Sequence, residues 1–333
     1  MPACASIRAR HFDTRAGLPL NFRFLTYSIM LAIAGYAAWA AFNDGAEMLA
    51  AIRQIGVSGL LFLCGLSVIN YVLRYLRWYA MLRRLGDRPA FRDGLLCYWA
   101  GFALTTTPGK AGEAIRCLYF KNRHGVDNPH SFAALLADRL ADLLSAMLMA
   151  TGALFHFHHF QWVAWVLLGL TAAILFAVFR PALLLALSRW CETHSPPALA
   201  PFFAAAPRFV DRSANLLSPG VLIASTALGL VSWGAEAYGF AWLAQQLGAS
   251  ANTVVLAGIF CLAMLAGSFM PGGLGGTEAA MAVLLAAVGV SPANAFVIAL
   301  LCRLATLWLA VLIGLLSMLW LEQRPFTVAG NAP

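Results

Sequence analysis

Charge is what this sequence has least of. Asp, Glu, Lys and Arg make up 11% of its 333 residues, whereas a soluble domain carries about 25%. A water-facing surface over the whole chain is therefore excluded. Paired cysteines are also missing. The seven (4, 64, 97, 117, 191, 261 and 302) form no CxxC and fall mostly in apolar runs, which reads as small packing residues rather than a disulfide framework or zinc site. No H-E-x-x-H, G-x-S-x-G, Walker loop or strand-borne GxGxxG occurs, so the catalytic templates with a sequence signature are absent and ATP-driven chemistry within this chain is excluded. No cofactor or metal is expected.

What is present is apolar sequence: 61% hydrophobic residues and a mean hydropathy of +0.77. A helix needs roughly 20 apolar residues to cross a bilayer, and the runs 24–42, 56–76, 131–155, 161–179, 220–247 and 293–321 predict six spans. The first follows Arg8, Arg10, Arg15 and Arg23. It is too long for a signal-peptide core and lacks a convincing cleavage site, so it reads as a retained helix. Two further apolar stretches, 91–121 and 251–289, are cut at Pro108-Gly109 and Pro271-Gly272 into pieces too short to span. Pro removes a hydrogen-bond donor and Gly frees the backbone, and open backbone survives at membrane depth only inside protein or beside water. Each stretch thus predicts a re-entrant helical hairpin. Segment 188–218, with Pro196, Pro197, Pro201 and Pro207, reads as a cytoplasmic linker carrying an interfacial helix near 202–217. The predicted fold is all-α: one polytopic membrane domain over 1–333, with about six transmembrane helices and two hairpins.

The two halves repeat. Gly86, Pro108, Gly125-Val126 and Arg139-Leu140-Ala141-Asp142-Leu143 correspond to Gly248, Pro271, Gly289-Val290 and Arg303-Leu304-Ala305-Thr306-Leu307. The intervals agree to within one residue: Gly to Pro 22 and 23, Pro to Gly 17 and 18, Val to Arg 13 and 13. Arg74 and Glu236 also coincide, each 12 residues before its glycine. The copies are 56–155 and 220–321, and the single helix 161–179 between them makes their orientations opposite. Inverted repeats with broken helices meeting at the midplane mark transporters. Basic residues favour cytoplasmic loops. Segments 1–23, 74–92, 121–130, 180–218 and 321–333 hold 17 of the 22 Lys and Arg, while the intervening ones hold only Arg53. This predicts cytoplasmic termini in a bacterial inner membrane, with hairpins entering from opposite sides and pointing at each other.

Charge inside a span costs several kcal/mol, so the embedded charged residues are the candidate site: Lys110, Glu113, Arg116, Asp138, Arg139, Asp142, Glu236, Glu278 and Arg303. Arg presents a fork of donors suited to phosphate, and the repeat-related Arg139 and Arg303 could bracket a lipid headgroup. Alternatively, Arg139 pairs with Asp142 one turn away and Arg303 with an acid elsewhere. Asp138 and Asp142 share a helix face; they either pair with nearby bases or hold a proton that couples transport. Glu113 and Glu278 follow the breaks at Pro108, Gly109, Gly112 and at Pro271, Gly272, Gly273, Gly276. Carboxylates in a first turn are favoured by the helix dipole, so capping competes with headgroup contact, as it does for phosphate held by the free amides. Arg74, Arg77, Arg83, Arg84, Arg88 and Arg92 read as a juxtamembrane anchor to anionic headgroups, with lipid loading as the minority alternative. His156-Phe157-His158-His159-Phe160 reads as an interfacial belt before a metal tract.

Four stretches carry a resemblance: Arg77-Trp78 before Leu85-Gly86; Thr106-Thr107-Pro108-Gly109-Lys110-Ala111-Gly112-Glu113-Ala114-Ile115-Arg116; Ala137-Asp138-Arg139-Leu140-Ala141-Asp142; and Pro271-Gly272-Gly273-Leu274-Gly275-Gly276-Thr277-Glu278. Over about 20–322 the chain resembles the lysylphosphatidylglycerol synthase transmembrane family, also called flippase-like proteins. The resemblance implies movement of anionic or polyprenyl-linked lipids between leaflets. The aminoacyl-transferase domain of the full synthase has no counterpart in this sequence, so the resemblance implies translocation without lipid lysylation. The expected partner is a membrane phospholipid or polyprenyl-phosphate lipid and not nucleic acid, with a second copy of the chain left open. A membrane-embedded lipid-modifying enzyme, a small-solute transporter and a partner subunit of a cell-envelope glycosyltransferase are the competing readings.

Overall fold

The computed structural model describes residues 22–107, 112–155, 161–194, 215–268, 270 and 273–323. Every regular element among them is helical: α1 (Phe22–Arg84), α2 (Phe91–Ala100), a 3-10 turn (Gly101–Leu104), α3 (Ile115–His124), α4 (Asn128–Leu154), α5 (Gln161–Val178), α6 (Pro181–His194), α7 (Pro219–Gln246), α8 (Thr253–Gly267), α9 (Gly276–Ala287), α10 (Pro292–Arg303), a π segment (Leu304–Trp308) and α11 (Leu309–Glu322). Residues 1–43 form one unit and Asp44 onward another; the second carries everything that follows.

Four of these helices are long and apolar enough to cross a membrane: Ala46–Arg84, Gln161–Val178, Pro219–Gln246 and the continuous run Pro292–Glu322. Leu61, Trp162, Ile223 and Leu316 lie more than half exposed, apolar surface that a bilayer satisfies and water does not. Two expectations need correction. The stretch between the expected spans 24–42 and 56–76 is helix and not a loop, with left-handed backbone at Gly56 (φ +66°). The linker expected from 188 begins as the end of α6, which reaches His194. The interfacial helix expected near 202–217 and the His156–Phe160 loop lie outside the described residues, apart from 215–217.

Four glycines at matched sequence positions each end a helix in the same way. Gly86 and Gly248 follow α1 and α7 at φ +94° and +98°, and Gly125 and Gly289 follow α3 and α9 at +66° and +89°. In each case the next residue's N–H returns to a carbonyl near the helix end: Asp87 to Leu82, Ala249 to Ala244, Val126 to Phe120, Val290 to Leu285. This is the glycine-terminated cap that left-handed backbone permits. Matched sequence positions thus build matched stops.

The two broken stretches each hold two short helices: α2 and α3, then α8 and α9. Their placement depends on close packing. α11 crosses the 3-10 turn so tightly that a Cβ at Gly314 would lie 2.2 Å from the Ala103 backbone nitrogen and 2.8 Å from the Phe102 carbonyl carbon. Backbone cannot swing aside as a side chain can. Gly314→Ala is therefore expected to cost about 1–3 kcal/mol, the range for overpacking, read as a lower apparent Tm in detergent. An unchanged Tm would show that the turn floats free of α11.

Candidate functional site

α1 carries a polar stripe, Ser67, Asn70, Tyr71, Arg74 and Arg77, spaced three and four apart along one face. All five are buried. Arg77 donates through Nη2 to Asp138 Oδ1 at 2.6 Å and to Asp142 Oδ1 at 2.5 Å, and Arg74 Nη2 to Asp142 Oδ2 at 2.9 Å. Arg139 Nη2 lies 3.1 Å from both Glu113 Oε2 and Asp138 Oδ2, and 3.7 Å from Asp142. Arg116 Nη2 reaches Glu113 Oε2 at 3.1 Å, while its guanidinium lies 4.5 Å from the ring centres of both Trp78 and Tyr98, a stacking that suits the planar cation. Thr105 donates to Glu113 Oε1 at 2.8 Å. Four arginines thus share three carboxylates. Buried charge persists only when paired and hydrogen-bonded in this way.

These contacts revise the sequence reading. Arg74 and Arg77, expected as juxtamembrane anchors, are 5% and 2% exposed and belong to the interior network. Arg83 and Arg84 keep the exposed position. The expected Arg139–Asp142 pairing exists but is the longest of three.

The second half is simpler. Arg303 Nε donates to Glu278 Oε1 at 3.0 Å, and its Nη1 lies 3.9 Å from the Met264 sulfur. Glu278 sits in the first turn of α9, where the dipole favours it. The helix after Arg303 widens into the π segment, within which the Thr306 hydroxyl bonds back to the Cys302 carbonyl at 2.8 Å. Such local widening recurs at functional positions, and here the Tyr71 hydroxyl of α1 donates to the Thr306 carbonyl. α7 ties the halves together. Trp233 Nε1 donates to Asp142 Oδ1 at 3.0 Å, and Asn70 Nδ2 to the Ser232 carbonyl at 2.9 Å.

Between the two broken stretches lies a cleft rimmed by Arg74, Thr105 and Glu113 from the first half and Glu236, Thr277 and Arg303 from the second. Its cavity volume is about 70 Å³. At about 10–15 Å³ per water by that measure, this holds a few waters and no phospholipid headgroup. Arg74 and Glu236, matched in sequence, thus meet on one cavity. Arg139 and Arg303 do not: Arg139 lines a neighbouring groove, and Arg116 is fully buried within the network. Of the residues at the breaks, Pro108, Gly109, Lys110, Pro271 and Gly272 lie outside the described residues. Gly112 is packed so that a Cβ would fall 2.5 Å from that of Leu104; Gly273 and Gly276 crowd Thr277 and Met270 in the same way. Sequence reasoning passed over Trp233, Tyr98, Thr105 and Tyr71. The polar periodicity of α1 and the spacing of three between Trp233 and Glu236 were the signals available.

Among the described residues one group could hold a metal. Asp93, Cys97 and His124 bring ligand atoms within 4.8 Å of one another. The sequence reading expected no metal site, and spacing shows only the Asp93–Cys97 pair, one turn apart on α2. Arg123 lies 3.6 Å from the other Asp93 oxygen and already supplies that carboxylate with counter-charge.

An all-α, multi-pass membrane protein with a charged interior cleft is the class these features define. Within it, the chain belongs to the lysylphosphatidylglycerol synthase TM region family, whose match covers residues 25–314. It is 25% identical over 298 residues to a UPF0104 membrane protein of Pyrococcus horikoshii, spanning 80% of this chain and 88% of that one. It is 24% identical over 119 residues to the glycosyltransferase AglD of Haloferax volcanii, spanning 35% of this chain and 19% of that protein. Membership ties the chain to a membrane-lipid function.

Proposed function

We propose that the protein moves a phosphate-bearing lipid between the leaflets of a bacterial inner membrane, with both termini cytoplasmic. The observation that carries this reading is the cleft itself, where α1, α7, α10 and the first broken stretch bring Arg74, Glu236, Arg303 and Glu113 to one cavity. On this reading the stretches 91–121 and 251–289 are re-entrant hairpins from opposite faces. Their short helices and the shared glycine caps support it. The headgroup passes between the hairpins while acyl chains stay in the bilayer, and arginine forks replace the water around its phosphate. The narrow enclosed space means that the helices part to admit it, as alternating access requires.

The test is leaflet exchange of fluorescent anionic, zwitterionic and polyprenyl-phosphate lipids in liposomes holding the purified protein. Arg139→Ala and Arg303→Ala are expected to slow exchange at least tenfold while eluting as folded protein. Normal exchange in both would remove the site assignment; no exchange by the wild type with any lipid would remove the function. The local similarity to a glycosyltransferase favours one alternative, a lipid-handling subunit of an envelope glycosyltransferase. Co-purification with such an enzyme, without exchange activity, would point there.

A further inference from the structure

α4 and α8 cross closest where a Cβ on Gly258 would overlap that of Ala153, 1.8 Å away. Between the same two helices, lined by Arg139 and Ala146 on one side and Cys261 and Ser268 on the other, runs a groove of about 180 Å³. Its walls are mostly apolar: Leu143 and Ala146 from α4, with Cys261, Met264 and Leu265 from α8. A space this large is far beyond what one water needs, and its polar lining is confined to Arg139, Asp142, Trp233 and Ser268.

Arg139 stands at the inner end of this groove, on a face of α4 that otherwise presents Phe132, Leu136 and Leu143, each more than a third exposed. Its side chain is 27% exposed, against 6% or less for Arg74, Arg77, Arg116 and Arg303. Its Nε finds no hydrogen-bond partner among the described residues. Its Nη2 is shared with Glu113, Asp138 and Asp142, yet among the network's arginines this one alone keeps more than a tenth of its side chain open to the groove, where a further anion can reach it. Trp233, Met264 and Ser268 line both this groove and the central cleft, so the two spaces share a wall.

We propose that the groove between α4 and α8 is the lateral portal of the protein, taking one acyl chain of a phosphate-bearing lipid while Arg139 engages its phosphate. This rests on the translocation reading and extends it. The apolar groove selects the chain, the arginine selects the anion, and an amphiphile in the bilayer is the ligand that carries both. Trp233 and Met264 form the partition that the headgroup passes on its way to Arg74 and Arg303.

The experiment uses the full chain in nanodiscs containing phosphatidylglycerol with a diazirine on one acyl chain. Photolysis is expected to place adducts on residues 143–146 and 261–265. Ala146→Trp, which fills the groove, and Leu143→Trp, at its rim, are each expected to cut those adducts at least tenfold. Leu316→Trp, on an exposed face of α11, is expected to leave them unchanged. Adducts spread evenly over exposed apolar faces such as Trp162–Phe176, or undiminished in both plugged variants, would overturn the portal. Groove adducts without leaflet exchange by the wild type would keep the binding site and sink translocation. Exchange without groove adducts would do the reverse.

Discussion

Replacing Asp138 with Ala is expected to cost about 3–5 kcal/mol of stability, the range for breaking a buried ion pair by removing one partner. Asp138 is fully buried and answers more than one cation. Arg77 donates to it through Nε at 2.9 Å and Nη2 at 2.6 Å, Arg139 lies at 3.1 Å and Arg116 at 3.8 Å. Its loss leaves four arginines around Glu113 and Asp142. The drop in apparent Tm in detergent should be roughly 10 °C. Asp93→Ala, at a carboxylate whose side chain is 32% exposed, is the control and should move it by far less. Equal shifts for the two variants would mean that the network is solvated. Asp138→Asn keeps the shape and some hydrogen bonds, so it should fall between them.

The second large effect is non-additive. Arg303→Met and Glu278→Gln are each expected to destabilise by about 3–5 kcal/mol, since each strands a charge that is now paired at 3.0 Å with side chains 3% and 5% exposed. The double variant removes both charges and should recover at least half of the summed loss. Recovery of stability should not restore leaflet exchange, because the cleft would then lack the cation of its second half. A double variant as unstable as the sum would show that the two residues do not answer each other.

These two results would also separate the halves of the molecule. The first half holds its charges in a shared network, so one substitution disturbs several partners. The second half pairs Arg303 with Glu278 beside a π segment, an arrangement that draws on fewer of the described salt bridges. On the translocation reading, the second half is therefore the side expected to yield first when a headgroup arrives.

Much of this molecule was legible before any coordinates. Scarcity of charge and the length of the apolar runs determine a helical membrane protein, because a bilayer offers the backbone no other partner than itself. The glycines at 86, 125, 248 and 289 determine where four helices stop, since left-handed caps are local and few residues other than Gly accept them. The identity of the embedded charged residues was legible for the same reason: each is expensive where it stands. Their partners were not. Whether Arg74 anchors to headgroups or pairs with Asp142, 68 residues on, depends on which face of α1 meets α4. That is a property of packing between helices distant in sequence. Nor could spacing separate Arg139 from Arg303. They match in the repeat, yet one lines a lateral groove and the other a central cleft. Sequence determined the elements and the cost of each buried charge; only the tertiary structure decided which charges share that cost, because Coulomb pairing follows distance through space and not along the chain.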